Sequence, residues 1–533
     1  MKKYFSHPLF LYIRKNVFYL ILILLGLIPL IWFKNGLLLT GGDNIPSYLG
    51  FERKFNLPTT WDDYANFGFY ARGSHHLIYS NLTNIFDFIP ASVFQMLLFS
   101  ALFFFRLLIY YKFLSLLFNK KKNKILFFPA ILLFTLNPYL LLDPISLIGF
   151  LAPIQMCLIF IFVYKFSNQA KIDFKYLILI SVINSLLFSN VATLSVTFIP
   201  AGLYFIFNLL FTKKKKFNGF FKRIFCVGLI FTGFNLWYLI PMVKSFLEIS
   251  DIGSTVNPFR ATASGYLYDH FRLIGQWGWY SGHYLYAYFL FAKNYYQFPL
   301  IFFTFGVTLL ALSLLLFLPQ KGVFKRSKKK TFYFFGLLFL FGLVLANGDK
   351  PPLGLIYMAI YNNIPIFWMF REPWAKFTPL MVFSLPVLLY GSLSYLRQKI
   401  KNNHLQRILY GIVIVVIIIN VYPVFTGEVI WDKWNGSMRS FRVEIPQYWQ
   451  DLKEYIINNN LKQYRLLTFP TSRYGIAYNW HNGLSSADDV AVYLLPNPIV
   501  RNSSFPLNNS DLLVNQFFDK LSCNINFFNN FRS

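Results

Sequence analysis

Acidic residues are scarce in this chain. Asp and Glu number 21 against 50 Lys and Arg in 533 residues, a formal charge of +29. Charged residues of both signs reach only 13 % and apolar residues 56 %, whereas a soluble domain carries roughly a quarter charged residues. The deficit excludes an ordinary soluble globule. Cysteine is nearly absent too: Cys157, Cys226 and Cys523 are too few and too scattered for a disulfide framework. There is no Walker phosphate loop, no dinucleotide fingerprint and no HExxH helix, which argues against nucleotide hydrolysis. From residue 125 onward the apolar runs have no Asp, Glu, Lys, Arg or His at their centres, where an ion-coupled transporter keeps its relay groups. Arg106 and Lys112 are assigned to the cytoplasmic half of the second run.

What is present is a succession of apolar runs long enough for roughly 30 Å of hydrocarbon. They fall at 17–36, 90–111, 125–142, 146–164, 176–190, 191–211, 224–243, 297–318, 331–346, 377–396 and 408–426. Asp143-Pro144 marks a tight turn between the third and fourth, and Ser189-Asn190 alone divides the fifth from the sixth. Residues 1–16, 119–124, 165–175, 212–223, 320–330 and 397–407 hold 27 of the 50 basic residues and a single acid, Asp173. With eleven crossings all six fall on one side, as the positive-inside rule requires. The expectation is an all-α polytopic membrane protein of the cytoplasmic (plasma) membrane, N-terminus inside and C-terminus outside, with about 11 transmembrane helices. The bilayer is its partner and nucleic acid is not, because topology accounts for the positive charge. The first run is read as a retained helix rather than a signal peptide, since LLLTGGD offers no small-x-small cleavage site. Residues 1–426 form the membrane module and 427–533 an extracytoplasmic segment of small α/β character, with a helix over 449–463 and a strand over 464–470.

The outer face, loops and tail together, then carries nearly all the acids, and its loops hold three constellations. In LLLTGGDNIPSY, Gly41-Gly42 lets the backbone turn and Pro46 keeps it extended, so Asp43 stands on a short leash at the membrane surface. Such a carboxylate can act as general base, hold a divalent cation, or be a solvated turn residue. Further along, Asp62, Asp63, His75 and His76 offer metal-ligand chemistry without a fixed motif; Asp62 also reads as a helix N-cap and the histidines as surface residues. In FREPWAK, Pro373 suits a first helical turn, which puts Arg371 just before a helix N-terminus and Lys376 within it. That is an anion site fit for a phosphate, with Glu372 to orient Arg371 or a sugar hydroxyl. The alternative is interfacial anchoring, with Arg and Lys snorkelling and Trp374 in an aromatic belt. Finally, residues 266–289 mix aromatics with Asp269, His270 and Arg272, read as a sugar-stacking surface, a lipid groove or an aromatic belt.

GGDNIP after the first run, TTWDDYANFG in the same loop and FREPWAKF before a late one resemble the GT-C glycosyltransferases, most of all the membrane module of the arabinofuranosyltransferase D group and its prokaryotic relatives. The tail segments IPQYWQDLKEYI, YRLLTFP and YGIAYNW resemble the stretch that succeeds the membrane core in that group. The resemblance implies a polyprenyl-phosphate-linked sugar donor and an extracytoplasmic glycan, lipid or protein acceptor. It implies Asp43 as catalytic base or metal site, with a divalent cation such as Mg or Mn left open, and Arg371 and Lys376 on the donor phosphate. The tail is short beside the sugar-binding appendages of that group, and no second acid is clearly paired with Asp43. A lipid-linked-sugar flippase and a non-catalytic envelope-assembly subunit are the competing readings.

Overall fold

The computed structural model describes residues 8–40, 61–62, 66–67, 69–70, 85–86, 88–118, 120–141, 147–168, 174–187, 191–210, 225, 228–244, 247, 265–275, 279, 289–320, 322, 324–430, 441–468, 476–478, 480, 484–486, 489–502 and 509–530. Each of the eleven apolar runs contains a helix: α1 (Pro8–Gly26), α2 (Ala91–Leu117), α3 (Lys120–Thr135), α4 (Leu147–Asn168), α5 (Phe174–Leu187), α6 (Val191–Leu210), α7 (228–244), α8 (Leu300–Phe317), α9 (Arg326–Ala346), α10 (Pro373–Lys399) and α11 (Asn403–Ile419). Among the described residues, α2, α6, α8, α9 and α10 are long and apolar enough to cross a bilayer, which makes this a multi-pass membrane protein. Four shorter apolar stretches lie at Val17–Trp32, Ile125–Leu141, Gly149–Lys165 and Asn403–Ile419.

Helix α10 is the hub, packed on α3, α4, α6, α8, α9 and α11. Phe113 of α2, Phe160 of α4, Phe335 of α9 and Phe383 of α10 pack together with ring centroids 5.0 to 6.0 Å apart. The outer helices show the complementary pattern. On α11, Tyr410, Val413 and Ile417 are buried while Leu405, Ile408, Ile412 and Val415 are exposed. A continuous apolar stripe of that kind is at home against hydrocarbon, not water.

The helices have two distinct ends. At the basic end, Phe118 stacks on Phe332 and Lys329 donates to the Gln320 carbonyl. At the opposite end the chain breaks and folds back. Arg106 lies in the half of α2 nearer the basic end, as its place in the second run indicates. It is wholly buried and does not turn toward the basic end: Nη2 donates to Phe134 O at 3.0 Å and Nη1 to Gly149 O at 3.4 Å. The reason lies in two prolines. Phe134 would accept from the N–H of residue 138 and Gly149 from that of residue 153, and both are proline. Asn137 adds a second donor to Phe134 O at 2.9 Å. Unsatisfied carbonyls are costly in a lipid surround, and a charged donor is worth about 1.5–3 kcal/mol per bond.

The first loop and the tail are tied together at two points. At its base, β1 (Leu38–Leu39) pairs antiparallel with Arg442–Val443, and Thr40 N donates to Phe441 O at 2.9 Å. Gln95 brackets Leu39, accepting from its N–H at 2.8 Å and donating to its carbonyl at 2.6 Å. Arg442, buried, donates to Trp32 O at 2.8 Å and to Gly427 O at 3.2 Å. At the tip, β2 (Trp61–Asp62) pairs antiparallel with β3 (Phe69–Tyr70). Asp62 therefore sits in a strand, paired with Phe69, and the chain turns back through Asn66, whose φ of 51° is left-handed.

Asn66 is buried and every polar group it has is used. Its Nδ2 donates to Asp511 at 2.8 Å and its Oδ1 accepts from Arg501 N at 2.9 Å. Its N–H donates to Ile499 O at 2.8 Å and its carbonyl accepts from Arg465 at 2.6 Å. The tail elements that supply or brace these partners include the helix Gln447–Asn458, the strand Leu466–Leu467 parallel to Ile499–Val500, and the helix Asn509–Asn530. Asn66→Ala strands the Arg501 N–H and the Asp511 carboxylate, and alanine tolerates left-handed backbone less well than asparagine, at a combined cost of roughly 1–3 kcal/mol. Hydrogen exchange should speed up at 61–70 and 499–511 together, and Asn66→Gly should recover only the backbone part.

Candidate functional site

FREPWAK lies at the end opposite the basic segments, and α10 begins at Pro373 as the sequence indicates. Glu372 is the N-cap residue and its side chain makes no capping hydrogen bond, while its carbonyl accepts from Ala375 N at 3.1 Å and Lys376 N at 3.2 Å. Arg371 and Lys376 are half-buried. Trp374 is buried with its indole N–H unpartnered among the described residues, so it is not a lipid-facing belt residue. Phe370 packs on Phe377 and Phe367 at 5.1 Å each.

The backbone of this turn is held on both sides of Glu372. Tyr357, from the helix Gly354–Asn363, donates its hydroxyl to Phe370 O at 2.6 Å. Tyr139, from the 3-10 turn Pro138–Leu141, donates to Ala375 O at 2.9 Å. Burial, with Tyr361 and the Asp349 carboxylate adding, pushes the Tyr357 phenol well up, so it stays a donor. Burial also raises Tyr361, and the Arg371 guanidinium nearby opposes that rise.

Asp349 and Lys350 form a feature of this end that the motifs did not flag. Asn347 Nδ2 donates to the Lys350 and Pro351 carbonyls at 2.7 and 3.0 Å. A Cβ at Gly354 would stand 2.0 Å from Asp349 O, so the turn needs glycine there. Lys350 reaches across to the other outer segment, its ammonium 4.4 Å from the Tyr266 ring centre.

That other segment corrects the sugar-stacking reading for its charged members. Asp269, His270 and Arg272 are at most 1 % exposed. Arg272 donates to Thr304 Oγ1 at 2.8 Å and to the Tyr295 carbonyl, pairs with Asp269 at 3.7 Å, and lies over Phe305 at 5.1 Å. They fasten the short helix Leu267–Phe271 to the start of α8. Tyr295 in turn donates to Asn420 O at 2.7 Å, beyond α11. Tyr266 and Tyr268 remain exposed and stack on each other at 5.5 Å.

Asp43, Asp63, His75 and His76 lie outside the described residues, as does the side chain of Asp62. The strand that launches Asp43 is described up to Thr40, itself buried. Between that strand and FREPWAK, Arg442 holds Trp32, Trp32 packs on Phe103 and Phe150, Arg106 bonds to Gly149 and Phe134, and Tyr139, five residues past Phe134, bonds to Ala375. Among the described residues no three His, Cys, Asp or Glu side chains come together as a metal site.

His270 gives the site region a pH signature. Burial, then the Lys350 charge, push its pKa down from 6.5 to about 4, with Gly265's backbone pulling the other way. A Cβ at Gly275 would lie 1.9 Å from its Nδ1. Between these two values the unfolded chain binds a proton that the folded chain refuses. Stability is therefore full above pH 6.5 and declines as pH falls toward 4, by at most about 3 kcal/mol. Thermal unfolding in detergent should show this decline for the native chain and a flatter profile for His270→Gln.

No family model and no curated protein matches the sequence. Solved structures do. Two classes of a mutant of arabinofuranosyltransferase AftD from Mycobacteria match with TM-scores of 0.53 and 0.52 at 15 % identity. The cryo-EM structure of AftD without that mutation matches with a TM-score of 0.56 at the same identity, over 92 % of this chain and 32 % of that one. The chain spans about a third of AftD's length and shares the fold of that part, as the GT-C resemblance implies.

Proposed function

We propose that this protein is a GT-C-type glycosyltransferase that takes a sugar from a polyprenyl-phosphate-linked donor and passes it to a glycan, lipid or protein acceptor on the extracytoplasmic side. The observation that carries the reading is the braced helix N-terminus with Arg371 before it and Lys376 within it. The shared fold with an arabinofuranosyltransferase supports it. In this reading all eleven helices cross the plasma membrane, the basic end faces the cytoplasm, and the N-terminus lies inside and the C-terminus outside.

The chemistry rests on charge. A sugar joined to a polyprenyl phosphate is a phosphodiester with one negative charge. As the bond from the anomeric carbon to oxygen breaks, the leaving phosphate gains a second. Arg371 offers a two-pronged donor, Lys376 a point charge and the helix end a positive dipole. All three bind the departing dianion more tightly than the donor, which is where rate is gained. Asp43 takes the proton of the acceptor hydroxyl, which attacks the anomeric carbon from the opposite face and inverts it. Asp43, or Asp62 and Asp63 with His75 and His76, would hold a divalent cation if the reaction takes one; mixed carboxylate and imidazole donors suit Mn better than Mg.

Asp43→Asn should lower transfer in membranes by roughly 10²- to 10⁴-fold. Full activity in that variant would remove Asp43 as base. Arg371→Ala should raise the donor KM, lower kcat, or both, by about 10²-fold in kcat/KM. Unchanged donor kinetics would remove the clamp.

A further inference from the structure

We propose that Tyr139 is a positioning residue for the anion clamp, acting through the Ala375 carbonyl that Pro379 leaves without its helical partner; this rests on the clamp reading above. In an unbroken helix the N–H of residue 379 would bond to Ala375 O. Proline has none, and the Tyr139 hydroxyl stands in its place at 2.9 Å. Ala375 is next to Lys376 and one turn beyond Arg371, so this bond fixes the turn that holds both cations.

The donor itself is rigidly held. Pro138, Leu140 and Leu141 around it are buried. Asn137 closes the end of α3 onto Leu133 and Phe134, and Arg106 bonds to the same Phe134 carbonyl. The hydroxyl thus projects from a fixed base. With Tyr357 holding Phe370 O on the other side, the clamp backbone is gripped at both ends. A displacement of about 1 Å in a group that aligns a reacting phosphate can cost up to 10²-fold in rate, so a side chain with no contact to substrate can set the donor affinity.

The test is a double-mutant cycle on donor kinetics, with Arg371→Ala run alongside. Tyr139→Phe removes one oxygen and should raise the donor KM about tenfold while the acceptor KM stays unchanged. Pro379→Ala restores an N–H that bonds to Ala375 O without help, so in that background Tyr139→Phe should change the donor KM less than about twofold. A residue that merely filled space would cost the same in both backgrounds, and equal effects would overturn the proposal. So would a silent Tyr139→Phe beside a damaging Arg371→Ala, which would leave the clamp itself standing. If both are silent, the clamp reading falls and the proposal with it. Should Tyr139→Phe fail to fold, recovery of the folded protein in the double variant supports the pairing, and failure of the double variant overturns it.

Discussion

A carbonyl deprived of its helical N–H by proline must find another donor when the helix is embedded away from water. Much of the architecture at the functional end derives from that constraint. Pro138 and Pro153 open Phe134 O and Gly149 O, and one guanidinium, Arg106, serves both. Pro379 opens Ala375 O, and Tyr139 serves it. The three carbonyls belong to α3, α4 and α10, so their donors link the broken turn after α3 to the start of the hub helix. A charge inside the helix bundle is thereby a structural joint.

The second constraint is on the first loop. The tail grips it at its base through Arg442 and the β1 pairing, and at its tip through Asn66. The described residues between 441 and 511 thus hold the loop that follows the first helix at both its base and its tip.

The apolar runs and basic segments made the helices legible, and Pro373 marked the start of α10 to the residue. The places that resisted are those where the partner is remote in sequence. Asp62 carries the residue type of a cap, but strand pairing across Asn66 decides its conformation. Arg106 is placed in its half of the run by the sequence, but its partners, two carbonyls opened by prolines in other segments, are not. Asp269, His270 and Arg272, among aromatics, look like a binding surface. The Thr304 and Tyr295 acceptors that bury Arg272 lie 32 and 23 residues on, beyond the reach of local pattern. The Tyr139 bond is the one that local pattern can reach. Pro379 within an apolar run signals an open carbonyl at Ala375, and a lone tyrosine at the end of the third run is a natural donor.

The central claim is that the start of α10 holds the donor phosphate. The most direct measurement is a structure of the purified protein with a short-chain polyprenyl-phosphate sugar. The account predicts the phosphate within hydrogen-bond distance of Arg371 and Lys376, with Asp43 facing the anomeric carbon. A lipid phosphate bound elsewhere, or Asp43 turned away from the sugar, would contradict it and leave FREPWAK as an anchor at the membrane interface.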